Sequence, residues 1–504
     1  MRRAGVRRRW VVRFAMGTGA LAGLFALLAI PLPEEQVVMG AGARPFAWNM
    51  DARWEELERR FVAARRAGCD APVRERLDAA FRALHGRLDE LEGAVRASPP
   101  EPDDARFEAF EVDFFETAAS MGGCLDRLDA LLAVHGRLRV LLEELERRWD
   151  PGERAVRERL YRLRYGGRTA LEALLVQMPP DRMPALQRVL EPSCRGPSTV
   201  VRGVRVCSGD VLVSRGGAPT SALIARGNDF PGNFSHVALV HVDAAGRARA
   251  IEALIERGLV VTEAADYLAD EKLRLMLLRL HPDEARADAS TDLAHAAADD
   301  ALREAREREV PYDFAMDHAD PSAYFCSEVA LWAYARRGVR LWRGLSTMSS
   351  PGLVHWLSSL GVRHFETLAP ADLEYDPALV VVAEWRAPRA LQREQRHNAV
   401  IDALLEEADR GATLDFPPWK LPLARLARAW SALARSLGET GPIPEGMRAP
   451  VALRVEMLRA RHAEIERAMT PAVERFARER GYVPPYWQLV RMAREAAAAT
   501  ADPR

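Results

Sequence analysis

The sequence predicts an α+β protein in which a mainly antiparallel sheet lies between two all-helical regions. Residues 46–190 and 390–490 repeat apolar side chains at helical spacing. Between them, short β-type runs alternate with helical stretches near 290–309 and 326–337. The β-type runs are residues 210–213, 235–241, 249–253, 259–261, 273–280 and 379–385. We therefore divide the chain into an N-terminal segment, a helical domain, an α+β domain and a C-terminal helical region, at 1–45, 46–195, 196–389 and 390–504.

The composition is that of a folded protein of several domains. The chain has 504 residues, of which 48% are hydrophobic and 28% charged. Its net charge of -1 gives no overall field that would recruit nucleic acid, so no nucleic-acid partner is predicted.

Sequence motifs for metals, phosphates and serine nucleophiles are lacking. The chain contains no CxxC, HExxH, phosphate-binding glycine loop or GxSxG. His318 with Asp317 and Asp320 resembles a metal-binding group, but a polar loop before a helix explains these residues better. We predict no cofactor and no metal.

The N-terminus carries the pattern of a membrane anchor. Arginines at positions 2, 3, 7, 8 and 9 precede an uncharged stretch at 14–32, whose 19 residues approach the length that spans a bilayer. The basic side should remain cytoplasmic, which predicts a single-pass inner-membrane protein with a periplasmic body. The alternative is a cleaved signal peptide and a secreted protein, with Ala41-Gly42-Ala43 as a cleavage site far beyond the apolar run.

Export changes the interpretation of the five cysteines. Cys69 and Cys124 lie in the helical domain, and Cys194 and Cys207 bracket the start of the α+β domain. We predict that these form two disulfides, Cys69–Cys124 and Cys194–Cys207, which leaves Cys326 as a free thiol. The alternative is that all five are small buried hydrophobic residues.

The two helical regions carry different patterns. Residues 77–95 and 128–149 each have a regular apolar seam, separated by a proline-rich break at 98–102, which predicts a helical hairpin or small bundle. His135 lies on the second seam and is predicted to be a packed core residue. In the C-terminal region, residues 416–430 form either a helix that packs on the neighbouring domain, which we favour, or one that lies on a membrane surface.

His236 lies in the β-type run at 235–241, and the turn that follows this run determines which side chains share a face of the sheet with His236. Residues 243–246 read Asp-Ala-Ala-Gly, which suits a three-residue hairpin loop closed by a left-handed glycine. Residue 236 then lies across from residue 254, so His236 and Glu252 are diagonal neighbours, roughly 7–8 Å apart at the backbone. A loop of two or four residues would turn Glu252 to the other face. Glu252 is therefore the predicted carboxylate partner of His236, ahead of Glu256 and Glu263.

A cysteine ninety residues after His236 completes a candidate catalytic group. Apolar residues follow Cys326 at helical spacing, and a thiol at a helix N-terminus beside an imidazole is readily ionised. Such a pair is typical of cysteine hydrolases and acyltransferases. The sequence leaves the helix start open, because Asp320 and Pro321 would also make a good cap and first residue, with Cys326 inside the first two turns.

Five short motifs in this part of the chain match a known family in their order. They are Gly209-Asp210-Val211-Leu212-Val213, Ser235-His236-Val237-Ala238-Leu239-Val240, Ile251-Glu252-Ala253, Pro311-Tyr312-Asp313 and Phe325-Cys326-Ser327-Glu328. The set resembles the permuted papain-like hydrolases of the NlpC superfamily, specifically the YiiX-like group, which is related to the lecithin:retinol acyltransferases. In this group the histidine strand precedes the cysteine helix, as it does here. The resemblance covers residues 205–385 and not the helical flanks.

The resemblance implies a permuted papain-like domain and a role for each residue of the group. Cys326 would be the nucleophile, His236 the general base and Glu252 the residue that orients the imidazole. The same motifs supply the predicted substrate-binding residues, which are Asp210, Tyr312 and Tyr324.

Two residues depart from the family pattern. Ala238 stands where glycine is usual, and Phe325 precedes the cysteine where tyrosine is common. Neither change removes a chemical group from the mechanism. The backbone N–H of Cys326 is the expected oxyanion donor, and the glycine-rich residues 216–234 are predicted to form a long loop over a substrate cleft.

Three functions follow from these patterns. The first is a cysteine amidase or endopeptidase acting on cell-envelope peptides. The second is a lipid-directed thioesterase, lipase or acyltransferase, which would need a long apolar groove beside the cysteine. The third is an inactive envelope scaffold whose helical flanks bind protein partners; retention of Cys326, His236 and Glu252 together argues against it. The predicted membrane contact is the anchor at 14–32.

Overall fold

Eleven strands occur in the part of the chain that the computed structural model describes. The described residues are 23, 25–30, 37, 44–46, 52–284, 292–437, 439–444 and 446–501. The strands are β1 (Leu186–Arg188), β2 (Ser198–Val201), β3 (Val204–Cys207), β4 (Val211–Gly216), β5 (His236–Val242), β6 (Ala248–Leu254), β7 (Gly258–Glu263), β8 (Lys272–Leu280), β9 (Ser346–Thr347), β10 (Glu366–Thr367) and β11 (Leu379–Trp385).

Seven of these strands form one antiparallel sheet, in the order β1-β11-β8-β4-β5-β6-β7. The pairs β2–β3 and β9–β10 form two small separate sheets. The predicted α+β class with an antiparallel sheet is confirmed.

Helices precede, interrupt and follow the sheet. They are α1 (Ala52–Ala67), α2 (Ala71–Ala97), α3 (Ala105–Ser120), α4 (Leu128–Glu146), α5 (Arg154–Tyr161), α6 (Gly167–Leu175), α7 (Pro219–Arg226), α8 (Ala264–Ala269), α9 (Leu293–Glu307), α10 (Cys326–Ala335), α11 (Pro351–Ser359), α12 (Pro388–Asp409), α13 (Lys420–Ser436), α14 (Ala449–Arg480) and α15 (Tyr486–Ala499). A π-helical stretch, Arg162–Gly166, joins α5 to α6.

The hairpin of β5 and β6 has the register that its loop predicts. Leu239 pairs with Ile251 and His241 with Arg249. The N–H of Asp243 donates to the carbonyl of Arg247 over 3.0 Å, and Gly246 adopts a positive φ of 77°. Since this conformation is open to glycine at little steric cost, the three-residue loop forms and sets which side chains face His236.

The two faces of the sheet bury different groups. One face packs against α9 and α10 through apolar residues such as Val237, Leu239 and Val329. The other face buries a separate apolar cluster, which includes Ala238, Ala250 and Tyr267. Side chains alternate along a strand, so His236 belongs to the same face as Ala238, and α10 lies on the opposite face.

The N-terminal helices form a bundle around the predicted seams. The seam residues of α2, from Leu77 to Val95, are buried, and His135 on α4 is buried among them. Asp70 caps α2, because its carboxylate accepts the N–H of Val73 over 2.9 Å.

The structure pairs four of the five cysteines. Cys69 is bonded to Cys124, with their Cα atoms 4.9 Å apart, and Cys194 is bonded to Cys207, with their Cα atoms 5.7 Å apart. Cys326 is free and buried. The first bond ties the α1–α2 turn to the segment after α3, and the second ties β3 to the segment between β1 and β2.

Two local predictions need correction. Residues 216–234 are not one long loop, since α7 occupies the middle of this stretch with Pro219 in its first turn, where proline needs no N–H. Residues 46–195 are not wholly helical, because β1 lies in this range and pairs with β11 at the edge of the sheet.

The predicted localisation is also corrected. Among the residues that the structure describes, none of the helices combines the length and the apolar character that crossing a bilayer requires. This finding contradicts the predicted single-pass inner-membrane protein. Of the predicted anchor at 14–32, only residues 23 and 25–30 are described; the remainder, the arginine cluster and the alternative cleavage site at 41–43 lie outside the described residues.

A buried network of charges connects the sheet to both helical regions. Glu384 of β11 accepts hydrogen bonds from Arg139 of α4, over 3.1 Å, and from Arg274 of β8. Arg274 also contacts Glu172 of α6 at 2.7 Å and Glu394 of α12 at 3.0 Å. These side chains are at most 5% exposed. Because these buried charges compensate one another, the network holds three parts of the chain in one arrangement.

We predict that Glu384→Gln lowers the free energy of unfolding by about 3 kcal/mol, because it removes the charge that compensates several buried arginines. Denaturant unfolding followed by circular dichroism measures the change. Glu263→Gln is the matched control, since Glu263 pairs with Arg249 at 2.9 Å and its side chain is 57% exposed. The control should lose about 1 kcal/mol or less. Equal losses in the two variants would contradict the role of the network.

Candidate active site

The candidate site lies where β5 and α10 begin. His236 is the first residue of β5, and Cys326 is the first residue of α10, which packs against β5 and β6. The Cys326 sulfur lies 4.0 Å from the Ser235 carbonyl oxygen. The sheet and the helix therefore bring the imidazole and the thiol to the same place, although ninety residues separate them in sequence.

The start of α10 is set by a side chain inside the helix. The N-cap is Phe325, whose N–H donates to Oε2 of Glu328 over 2.8 Å. The alternative start at Asp320 and Pro321 is therefore wrong, and Cys326 lies at the tip of the helix. Burial raises the pKa of Glu328 to about 8.

His236 is held by the carboxylate that the hairpin predicts. Its Nε2 lies 2.7 Å from Oε2 of Glu252, and the Thr262 hydroxyl donates to the other oxygen, Oε1, over 2.8 Å. The Tyr267 ring lies beside the imidazole, with ring centroids 6.5 Å apart. The bond to Glu252 occupies Nε2, which leaves Nδ1 as the nitrogen available to the thiol.

Cys326, His236 and Glu252 shift one another's pKa values. Burial opposes a charged imidazole, but hydrogen bonds to Cys326 and Glu252 outweigh it and raise the pKa of His236 to about 9. Burial also opposes the thiolate, yet the hydrogen bond and charge of His236 and the N–H of Val237 lower the pKa of Cys326. Burial raises the pKa of Glu252, and its hydrogen bond with His236 reverses this, so that its pKa is lowered overall. The shifts of the two pKa values therefore favour the charged forms of the thiol and the imidazole over the neutral forms.

Two polar groups near the sulfur suit an anionic oxygen. The N–H of Cys326 belongs to the first turn of a helix, where backbone donors have no intrahelical acceptor. The Thr367 hydroxyl is buried and makes no hydrogen bond within the described part of the chain, and Thr367 lines the same cavity as Cys326. The sequence carries no signal that joins residue 367 to this site.

An apolar cavity of about 150 Å³ opens beside Cys326. Its polar lining besides Cys326 is limited to a few residues, which are Thr220, Asn228, Tyr312, Asp313 and Thr367. Its walls come from α7, from the segment before α10, from α11 and from the start of α14. The apolar lining includes Leu223, Ile224, Ile255, Phe314, Met316, Met348, Leu357, Leu360, Val362, Met447, Val451 and Val455. The C-terminal helical region therefore contributes directly to the site.

A larger cavity, of about 440 Å³, lies between α1, α2 and α3. It contains none of the three residues of the candidate site, and its walls carry Arg60, Asp113 and Glu116. The smaller cavity is therefore the candidate site, since its lining includes Cys326.

The predicted substrate-binding residues do not all reach the cavity. Tyr312 lines it. Asp210 is instead buried in an ion pair with Arg279, at 2.8 Å, and accepts the N–H of Cys207. The hydroxyl of Tyr324 donates to Glu304 over 3.1 Å. Neither Asp210 nor Tyr324 is part of the cavity wall, and their bonds are structural.

Besides Asp126 with Cys69 and Cys124, whose sulfurs are bonded to each other, two groups elsewhere in the described part of the chain have donor atoms that converge as metal ligands do. They are His241 with His295 and Asp299, and His397 with His462 and Glu466. In the first, Nε2 of His241 is already bonded to Asp299 at 2.8 Å. In the second, burial and then His462 and several arginines lower the pKa of His397 to about 3, and this positive surrounding opposes a cation. His318, Asp317 and Asp320, for which the sequence favours a polar loop over a metal site, do not form one of these convergent groups of the described residues.

Comparison with known proteins gives no match, since neither a family model nor a curated protein matches the chain.

We predict that Cys326 reacts with iodoacetamide at half its maximal rate well below pH 8.5, which is about the pKa of an unperturbed thiol. Its pKa is lowered by His236, so His236→Ala should move the midpoint upward. Mass spectrometry of the modified peptide measures the rate, and the cysteines in disulfides do not react. His241→Ala, on the same strand, is the control and should leave the profile unchanged. Reaction only at alkaline pH, with a rate indifferent to His236, would contradict the ionised pair.

Proposed function

We propose that the chain is a cysteine hydrolase or acyltransferase with a permuted papain-like catalytic domain, and that it acts on esters or thioesters of aliphatic acids. The proposal is carried by one observation, which is the apolar cavity that opens at the thiol of Cys326. The order of the histidine strand before the cysteine helix supports the permuted arrangement.

The reaction begins with acyl transfer to sulfur. The Cys326 thiolate attacks the carbonyl carbon, the C–S bond forms, and the carbonyl oxygen becomes an anion near the N–H of Cys326. As the tetrahedral species collapses, the bond to the leaving alcohol or thiol breaks. His236 donates its proton to that leaving group, which yields a neutral imidazole and an acylated cysteine.

The second half regenerates the thiolate. Neutral His236 removes a proton from water or from an acceptor alcohol or amine, whose oxygen or nitrogen attacks the thioester carbon. The C–S bond breaks, the acid or the transferred acyl product leaves, and the thiolate–imidazolium pair is restored. Glu252 remains ionised throughout, and it orients and stabilises the imidazolium. Water gives hydrolysis and another acceptor gives transfer.

The lining of the cavity favours an acyl chain over a peptide. A bound peptide needs partners for its backbone N–H and carbonyl groups, because an unpaired buried polar group costs about 1–3 kcal/mol. The cavity offers few polar side chains and many apolar ones. An aliphatic chain needs no such partners and gains about 0.8 kcal/mol for each buried methylene. A peptide amidase is therefore the less favoured function.

We predict that Cys326→Ala and His236→Ala each abolish turnover of an acyl thioester, while Glu252→Gln retains part of it. Cys326 supplies the bond-forming atom, and His236 both ionises it and protonates the leaving group. The amide of glutamine keeps part of the hydrogen bonding to the imidazole, so a loss of about 10- to 100-fold is expected. Steady-state release of the free thiol measures turnover. Activity that survives Cys326→Ala would exclude the nucleophile.

We also predict that kcat/KM rises with the length of the acyl chain, by about fourfold for each methylene that the cavity buries. A series of acyl thioesters from acetyl upward measures the trend. Ile224→Trp, at the partly exposed rim of the cavity, should remove the gain for long chains and spare the acetyl substrate.

The control for the cavity variant is Val140→Trp, at an exposed position of α4 outside the cavity lining. It should show the same chain-length trend as the unmodified protein. Equal kcat/KM for acetyl and long-chain substrates, or cleavage of peptides without cleavage of thioesters, would exclude an acyl-chain substrate.

A further inference from the structure

The outer face of α13 exposes a continuous row of large apolar side chains. They recur at intervals of four and three residues, so they form one stripe along the helix. Each is between 50% and 72% exposed. The six residues of this α13 stripe are Trp419, Leu423, Leu426, Trp430, Leu433 and Leu437. A row of this size exceeds the scattered apolar residues of an ordinary surface, which indicates a contact face.

The inner face of α13 lies against the wall of the acyl cavity. Leu421 and Ala424 are buried in one cluster with Met447 and Val451. Met447 and Val451 also line the cavity that contains Cys326. Only the width of one helix and one layer of side chains thus separates the α13 stripe from the cavity.

The charge of α13 is of one sign. Residues 420–436 contain one lysine and three arginines and no acidic residue. Arg428 is exposed in the middle of the helix. The indole side chains of Trp419 and Trp430 favour the boundary between hydrocarbon and water. The combination of an apolar stripe, flanking cations and aromatic residues is complementary to an anionic lipid surface.

A second apolar segment lies beside the stripe. Arg425 donates hydrogen bonds to the carbonyls of Leu28, over 2.7 Å, and Ile30, over 2.8 Å. Leu27 and Ile30 are themselves exposed. The apolar surface therefore continues from α13 onto these residues.

We propose that the α13 stripe docks on an anionic lipid surface, with α13 lying in the plane of the interface. The lipid-facing stripe then brings the acyl cavity next to the membrane, so that the substrates are acyl lipids taken from that surface. The docking of the α13 stripe does not depend on the proposed function. Only the statement that acyl lipids are the substrates rests on the proposed function.

Flotation of the full chain with vesicles tests the docking. The vesicles contain phosphatidylcholine alone or with 30% phosphatidylglycerol, where the proportion is about that of a moderately anionic membrane. We expect the unmodified protein to float with the anionic vesicles. Leu426→Asp combined with Trp430→Asp should weaken binding about tenfold or more, since two charges would face the hydrocarbon. Arg428→Glu should weaken binding to the vesicles that contain phosphatidylglycerol, and should not change binding to vesicles of phosphatidylcholine alone.

Matched controls separate the stripe from general surface effects. Val140→Asp combined with Val200→Asp places the same charges at two exposed apolar positions on α4 and β2, and should leave binding unchanged. Circular dichroism and the thermal midpoint of each variant show whether it remains folded. Equal flotation of the stripe variant and the unmodified protein would overturn the proposal, as would failure of the unmodified protein to bind.

Two further outcomes would assign the stripe to another occupant. A dimer in analytical ultracentrifugation that the stripe variant converts to a monomer would make the stripe a contact between two copies. Binding that requires a protein rather than lipid would exclude the lipid surface.

Turnover distinguishes this proposal from the proposed function. The stripe variant should hydrolyse a water-soluble short-chain thioester at the normal rate, and should lose activity only on substrate embedded in vesicles. If the unmodified protein floats but no ester or thioester is cleaved, the lipid surface stands and the proposed function fails.

Discussion

The architecture depends on the ion pairs that the buried carboxylate of Glu384 makes with several arginines. This carboxylate lies inside the protein among arginines from an N-terminal helix, from a neighbouring strand and from the residue that follows its own strand. Burial opposes its ionisation, but the arginines outweigh that effect and hold the pKa of Glu384 well below its usual range. Removing any member leaves charge in a medium that solvates it poorly. The helical regions are therefore structural parts of the same body as the sheet that carries the candidate site.

The network also reaches His236 of the candidate site through one asparagine. The side chain of Asn233 donates to Glu394 over 2.9 Å and accepts from Arg168 over 3.3 Å. Asn233 is three residues before His236, and the N–H of Ser235 donates to the carbonyl of Ser214 over 2.9 Å. The position of the imidazole thus depends on charges that lie outside the sheet, while its protonation depends on Cys326 and Glu252.

The features of this structure that depend on neighbouring residues in the sequence could be predicted. A strand alternates its side chains and a three-residue loop sets the register, so the pairing of His236 with Glu252 follows from a few adjacent residues. The start of α10 was ambiguous because two capping patterns compete within six residues, and the side chain of Glu328 decides between them. The cavity and the network could not be predicted. Arg139 and Glu384 are 245 residues apart, and long charged side chains ordinarily indicate a surface.

The division of labour around the cavity has an evolutionary consequence. In the proposed function, the groups that would make and break bonds come from the sheet and α10, whereas Met447, Val451 and Val455 of the C-terminal region form part of the cavity wall. Substitutions in that wall would change the size and shape of the cavity and leave the thiol and the imidazole in place. Under that proposal, substrate preference can diverge between descendants of this chain through changes in the C-terminal region, while the reacting groups stay the same.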